Sequence, residues 1–353
     1  MRKRILYLKL WCSALTNIGD AFIDLGVIYS IQQTESVQKG KALLIPVSIY
    51  SYVKPSQRTT SILTRFPRPL VSLSKIMLGR YFEKTKETIL QSYTRKANKN
   101  IKSSLLVHAI KPDYVVISGG LIFTKFQLDM FKPLLDNLKR QGAKIIFYGC
   151  SGETYSDLEV ECVKRRLEEI EPYAIITRDQ VAFRHYKDIG EYAFNGIDCG
   201  FFVNKLPIKE IEIDFPPYVV LTFDSYNNID TERKLEVELS KKYTIVKTSH
   251  QPISEISVFR TPKRDAFVSD SPYDYLILYA HTEETHADRV HACVATLSFG
   301  NPCRLYLKTA RAELFRRIGI EPGSITKKLV TPDLKRIEEL QKAQIDFLSS
   351  VLI

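Results

Sequence analysis

Half of the chain's six histidines, His281, His286 and His291, fall within eleven residues, together with Glu283, Glu284, Asp288 and Arg289. Such a cluster first suggests a metal site. An arginine beside a would-be ligand repels a cation, however, and Arg289 and His291, two residues apart on the first turn of a helix, suit an anion better. The guanidinium offers a planar pair of donors and a protonated imidazole adds charge. The expectation is therefore an anion site with no metal and no cofactor, Asp288 serving as the helix cap. Three more loops qualify because ligands of open parallel sheets bind beyond the carboxyl ends of strands, at helix amino termini with free N–H groups. They are Asn17-Ile18-Gly19-Asp20, Ser118-Gly119-Gly120-Leu121 and Arg178-Asp179. Plainer readings stand beside these: Gly119-Gly120 as a tight turn, Asp20 as a cap, His291 as a core residue.

The elements that must position these loops are legible as hydrophobic runs. Ile5 to Trp11, Ala42 to Ile49, Tyr114 to Ser118, Ala143 to Gly149 and Ala174 to Thr177 read as strands, with helices over Ala21 to Gln32, near Asp129 to Gln141 and near Asp157 to Ile170. Strands alternating with helices imply a parallel sheet. Pro207, Pro216 and Pro217 punctuate a charged stretch, Asn204 to Pro217, that reads as an interdomain hinge. The pattern then repeats: strand Tyr218 to Phe223, helix near Thr231 to Lys241, strands Thr244 to Thr248 and Tyr275 to Ala280, helix Ala287 to Phe299, strand Arg304 to Leu307. A last helix begins with Thr331 as cap and Pro332 in its first turn. The expected division is an N-terminal α/β domain over 1–207, a C-terminal α/β domain over 208–330 and a terminal helix over 331–353.

With 353 residues, 44% of them hydrophobic and 26% charged, the chain is longer than one core usually supports, and two domains are the default. No apolar run approaches the roughly 20 residues of a membrane span. Lys9 interrupts the only run that imitates a signal peptide. The six cysteines lie far apart, without zinc or CxxC spacing, and read as reduced core residues of a cytoplasmic protein. Net charge is +11, and it is concentrated: residues 49–104 carry twelve Lys or Arg against Glu83 and Glu87. This basic insertion, with a helix expected around Leu73 to Arg95, would attract phosphate-rich partners. Nucleic acid, anionic lipid and a diphosphate-linked substrate all remain open on charge alone. The absence of GxGxxG, GxxxxGK[ST], GxSxG and HExxH argues against a dinucleotide cofactor, a P-loop nucleotide and the common hydrolases.

The separated motifs agree with one family. Asn17-Ile18-Gly19-Asp20 resembles the N-x-G-D signature of the polysaccharide pyruvyl transferases. Ile117-Ser118-Gly119-Gly120 resembles their glycine-rich strand end, and Thr177-Arg178-Asp179 their R-D element, with Asp198 where the family has an aspartate. Asp288-Arg289-Val290-His291-Ala292, Gly300-Asn301-Pro302 and Tyr306-Leu307-Lys308 are similar to the R-L-H-A, G-x-P and Y-x-x-K run, although Tyr306 and Lys308 stand closer together here. The resemblance implies two Rossmann-like domains with parallel sheets facing across a cleft, as in the GT-B glycosyltransferases. It also implies transfer of a carboxyethylidene ketal from phosphoenolpyruvate to a sugar of a polysaccharide or lipid-linked glycan. His291 would anchor the donor and supply acid, Asp20 would orient or deprotonate the acceptor, and Arg289, Lys308, Asn17, Gly19, Gly119, Gly120 and Arg178 would bind substrate. A lipid-linked acceptor would add peripheral contact at the inner membrane face, and nucleic acid is then not the expected partner. Two alternatives stay open: a GT-B glycosyltransferase using a nucleotide sugar, and an inactive protein binding anionic glycans.

Overall fold

The computed structural model describes residues 2–9, 17–48, 109–250 and 266–353. The basic segment 49–104, its expected helix and Cys12 lie outside the described residues. The first half builds a six-stranded sheet from β1 (Lys3–Lys9), β2 (Ala42–Ser48), β3 (Tyr114–Ser118), β4 (Lys144–Cys150), β5 (Ala174–Thr177) and β6 (Tyr192–Asn195). The strand order is β2-β1-β3-β4-β5-β6 and every pairing is parallel. The central strands β3, β4 and β5 are buried on both faces, as a sheet covered on both sides requires. On β1, Leu6 and Leu8 face a core with helices α2 (Lys125–Arg140) and α3 (Asp157–Ile170), while Ile5 and Tyr7 face α1 (Ile18–Gln32). Helix α4 (Gln180–Tyr186) follows β5, with the Asp179 side chain accepting from Ala182 N at 2.8 Å.

The second half builds a four-stranded sheet from β7 (Tyr218–Thr222), β8 (Thr244–Thr248), β9 (Glu284–Ala287) and β10 (Cys303–Leu305), ordered β10-β9-β7-β8 and again all parallel. Helices α5 (Ile229–Leu239), α6 (Pro272–His281) and α7 (Val290–Ser298) accompany it.

Three local readings of the sequence are corrected. Tyr275 to Ala280 belongs to α6, not to a strand: Pro272 occupies its first turn, and Tyr275, Leu276, Tyr279 and Ala280 are buried at helical spacing. A short apolar run fits either period, and only the packing partner decides. Asp333, not Thr331, caps the final helix α8 (Leu334–Val351), accepting from Arg336 N at 3.2 Å. Glu284–Ala287 is the strand β9 where a loop and the start of the helix Ala287 to Phe299 were expected, and the helix begins only at Val290.

Helices α1 and α8 both tie the halves together. Helix α1 crosses the 3-10 turn Cys199–Lys205, and Ile18 and Phe22 join Phe201, Phe202 and the buried face of α7 in one core. Helix α8 follows the second sheet in sequence yet returns to the first: Gln344 Oε1 accepts from Ile197 N at 2.7 Å, and Phe347 stacks on Phe194 with ring centroids 4.9 Å apart. Four of the cysteines, Cys150, Cys199, Cys293 and Cys303, are buried free thiols. Among the described residues no helix is long and apolar enough to cross a membrane.

Candidate functional site

Each sheet reverses its winding once, between β1 and β3 and between β7 and β9, and such switch points open a crevice at the strand carboxyl ends. The two crevices face each other. The pocket between them has a volume of about 210 Å³ and is lined from the first half by Asn17, Asp20, Gly119, Gly120, Gln127 and Arg178, and from the second by His250, Asp288, Arg289, His291 and Arg311.

Asn17 caps α1, its Oδ1 accepting from Gly19 N at 3.2 Å and from Arg289 Nη2 at 3.4 Å, so the cap also reaches across the pocket. Arg289 Nε in turn lies 3.4 Å from Asp224 Oδ2. Asp288 does not cap α7. Its carboxylate accepts from Asp224 N at 2.9 Å, Ser225 N at 2.8 Å and Asn228 Nδ2 at 3.0 Å, which fixes the loop after β7 and leaves α7 without a side-chain cap.

His291 sits where Gly19 leaves room: a Cβ on Gly19 would stand 2.8 Å from His291 Nδ1. Its other nitrogen, Nε2, lies 3.5 Å from Asp198 Oδ2, an ion-pair distance without hydrogen-bond alignment. The same carboxylate oxygen accepts from Arg178 Nη1 at 2.7 Å, and Asp198 Oδ1 accepts from Gly200 N at 2.8 Å. Arg178 and Asp198 are each only 1% exposed. Burial works against the Asp198 charge, but His291 and Arg178 outweigh it and hold the carboxyl well below the usual carboxylate range. Asp20 shows the opposite balance. Burial dominates and raises its carboxyl above the ordinary value, despite His291, Arg289 and Arg178 nearby.

Gly119 and Gly120 have φ of 76° and 57°, left-handed values that favour glycine, and a Cβ on Gly120 would meet nothing within 4 Å. Both belong to the turn that carries β3 into the pocket wall, where Gly120 O accepts from Ser151 Oγ at 3.0 Å.

Of the residues chosen from sequence, Asn17, Asp20, Gly119, Gly120, Arg178, Arg289 and His291 line one pocket, and Gly19 borders it through His291. Lys308 does not: it is exposed on the loop after β10 and is not among the lining residues. Arg311, on the 3-10 turn three residues further on, is. Gln127, His250 and Arg311 were missed. His250 stands two residues beyond β8, so the carboxyl-end rule could have found it; Arg311 follows a strand of three residues and gave no local signal. His250 Nε2 pairs with Tyr279 Oη at 2.7 Å, while its Nδ1 and the Gln127 Oε1 have no hydrogen-bond partner among the described residues. The histidine cluster diverges, His286 turning away to Tyr306 and Glu284, and among the described residues no three potential ligands converge on a metal position.

A sequence model of the family described as polysaccharide pyruvyl transferase matches residues 17–306, from the cap of α1 to just beyond β10. The chain belongs to the polysaccharide pyruvyl transferase family. Among curated protein sequences, none matches at a significant level. This transferase-family chain shares its fold with solved nucleotide-sugar enzymes. It is 11% identical to S. aureus MnaA, solved with UDP, with a TM-score of 0.54 over 99% of this chain and 90% of that one. It is also 11% identical to the Methanocaldococcus jannaschii UDP-GlcNAc 2-epimerase solved with UDP-GlcNAc and UDP, with a TM-score of 0.50 over 97% and 99%. At that identity the likeness establishes the architecture alone, which is GT-B-like.

Proposed function

We propose that the chain transfers a carboxyethylidene group from phosphoenolpyruvate to two hydroxyls of a glycan sugar. The observation that carries this reading is the convergence of Arg178, Arg289, Arg311 and His291 with a single high-pKa carboxyl, Asp20, in a small pocket between the sheets. Its volume of about 210 Å³ lies below the roughly 300–1,000 Å³ of drug-sized sites, which favours a three-carbon acid over a whole nucleotide sugar.

The chemistry needs fixed cations, an acid and a base. A proton added to C3 of the enol turns C2 into an oxocarbenium-like centre. One sugar hydroxyl attacks C2 and releases its proton; the C2–O bond to phosphate then breaks with its electron pair, and the second hydroxyl closes the ketal. Two hydroxyl protons are released and one equivalent stays on C3, so the other leaves with phosphate. His291, backed by Asp198, anchors the donor and supplies acid; Asp20, on the opposite wall, orients or deprotonates the acceptor; Asn17, Gly119 and Gly120 shape the acceptor side. The acceptor reading extends to a lipid-linked oligosaccharide held at the inner membrane face through basic residues such as Arg65, Arg68, Lys96 and Lys99. Exchanging those four for Glu should weaken binding to anionic vesicles.

The test is phosphate release from phosphoenolpyruvate across a panel of sugar acceptors, with His291→Ala and Arg289→Ala as controls and UDP as competitor. Acceptor-dependent release that both variants abolish supports the reading. Absence of release with every acceptor, combined with tight UDP binding, overturns it in favour of a nucleotide-sugar enzyme.

A further inference from the structure

Three guanidinium groups line the pocket, and they differ in what already balances them. Arg178 donates to the Asp198 carboxylate at 2.7 Å, and Arg289 lies 3.4 Å from that of Asp224. Arg311 has no such partner: among the described residues no carboxylate lies within ion-pair distance of it. Among the described residues its Nε reaches only the Thr309 hydroxyl, at 3.4 Å, and its two terminal nitrogens make no hydrogen bond. Asp288, the nearest acid by sequence to Arg289, is itself spent on the Asp224 and Ser225 backbone N–H groups and on Asn228.

The position of Arg311 is nevertheless fixed. Six residues on, Arg317 Nε donates to Gly196 O at 2.9 Å and its Nη2 to Asn195 O, so the turn carrying Arg311 is bolted to the end of β6 in the first sheet. Arg336 Nε donates to Arg317 O at 2.9 Å and secures the bolt from α8. A long cation held at a pocket wall with its planar fork empty is pre-organised for a planar or tetrahedral oxyanion.

We infer that Arg311 is the residue that grips the phosphoryl end of the donor, in place of Lys308, leaving Arg289 and His291 to the three-carbon carboxylate end. The division follows from charge balance: the phosphoryl group is the more highly charged end, and among the described residues Arg311 is the pocket guanidinium with no carboxylate at ion-pair distance, so the phosphoryl group gains most there. Partial burial, together with Arg178 and Arg289 nearby, depresses the Arg311 pKa against the opposing pull of the Glu153 and Asp20 carboxylates, a penalty that a bound dianion relieves. When the C2–O bond breaks, the same fork stabilises the departing phosphate.

The inference rests on the donor being a phosphorylated carboxylic acid, and its test needs no turnover. Inorganic phosphate and pyruvate serve as probes of the two ends, with calorimetry and thermal shift on wild type, Arg311→Gln and Arg311→Lys. Loss of one charge-assisted contact weakens phosphate binding by about 10- to 100-fold in Arg311→Gln. Arg311→Lys falls between, and pyruvate binding changes less than about twofold. Unchanged melting of the unliganded variants excludes a folding effect. Phosphate binding equal in wild type and Arg311→Gln, no phosphate binding by wild type, or an equal loss of pyruvate and phosphate affinity overturns the inference. A wild type that binds phosphate through Arg311 but releases none from phosphoenolpyruvate keeps the anion role and removes the transfer reading.

Discussion

The 2.8 Å that would separate a Cβ on Gly19 from His291 Nδ1 makes the glycine of Asn-x-Gly-Asp part of the histidine's seat. Gly19→Ala should displace the imidazole by a fraction of an ångström and cut kcat/KM by about 10²-fold, with a smaller effect on melting temperature. Asp198 is the counter-charge behind both His291 and Arg178, and Asp198→Asn leaves a buried guanidinium unpaired at a cost of about 3–5 kcal/mol. Because the native carboxyl is held below its unfolded value of about 3.9, its contribution is complete above that pH and is lost as pH falls through the native value. Urea unfolding should show the wild-type advantage unchanged between neutral pH and about pH 5, shrinking only below about pH 4. Asp20 has the opposite sign: its raised pKa means that ionisation costs stability as pH rises. Asp20→Asn is expected to melt higher than wild type at neutral pH while losing about 10²- to 10⁴-fold in kcat, and to lose the acid limb of the rate profile.

At the scale of elements, α1 is placed by a second glycine. A Cβ on Gly26 would stand 1.8 Å from the backbone oxygen of Cys199, an atom of the 3-10 turn that cannot swing aside. Gly26→Ala should therefore separate α1 from that turn and destabilise the protein by about 3 kcal/mol or more, measurable by thermal unfolding. One turn earlier on the same face lies Phe22, whose ring meets His250 edge-on with centroids 5.5 Å apart. Helix α1 thus touches the core of the second half and the pocket at once.

For the whole molecule, the shared core of α1, the 3-10 turn and α7 joins the two sheets, and α8 closes the loop by returning to β6. Deleting residues 334–353 removes Ile337 from the shared core and Leu348 and Val351 from the core of the first sheet, and the truncated chain is expected to lose cooperative unfolding. Buried His250, kept neutral by burial and by Arg289 and His291, reports on the assembly through pH. Its native pKa lies well below the unfolded value of about 6.5, so its stabilising effect is full above that pH and is lost as pH falls towards the native value. Denaturant titration of wild type against His250→Asn should reveal that slope, about 1.4 kcal/mol per pH unit, confined to the acid side of pH 6.5.

Hydrophobic runs and strand-end loops determined the alternating α/β architecture and picked out Asn17, Asp20, Gly119, Arg178, Arg289 and His291, which line one pocket, although the strand before Arg289, β9, has no apolar run to announce it. The strand-or-helix choice for Tyr275 to Ala280 depended on which surface its tyrosines pack against, and a run of six residues carries no record of that. Asp288 was read as a cap because nothing near it in sequence shows the backbone of residues 224 and 225 arriving at its carboxylate. That Arg311 and not Lys308 lines the pocket, and that Asp198 lies beneath His291, were decided by tertiary structure alone. Both depend on the two sheets docking through α1, the 3-10 turn and α7, which brings together side chains more than 90 residues apart and, among the described residues, leaves one pocket guanidinium without a carboxylate at ion-pair distance.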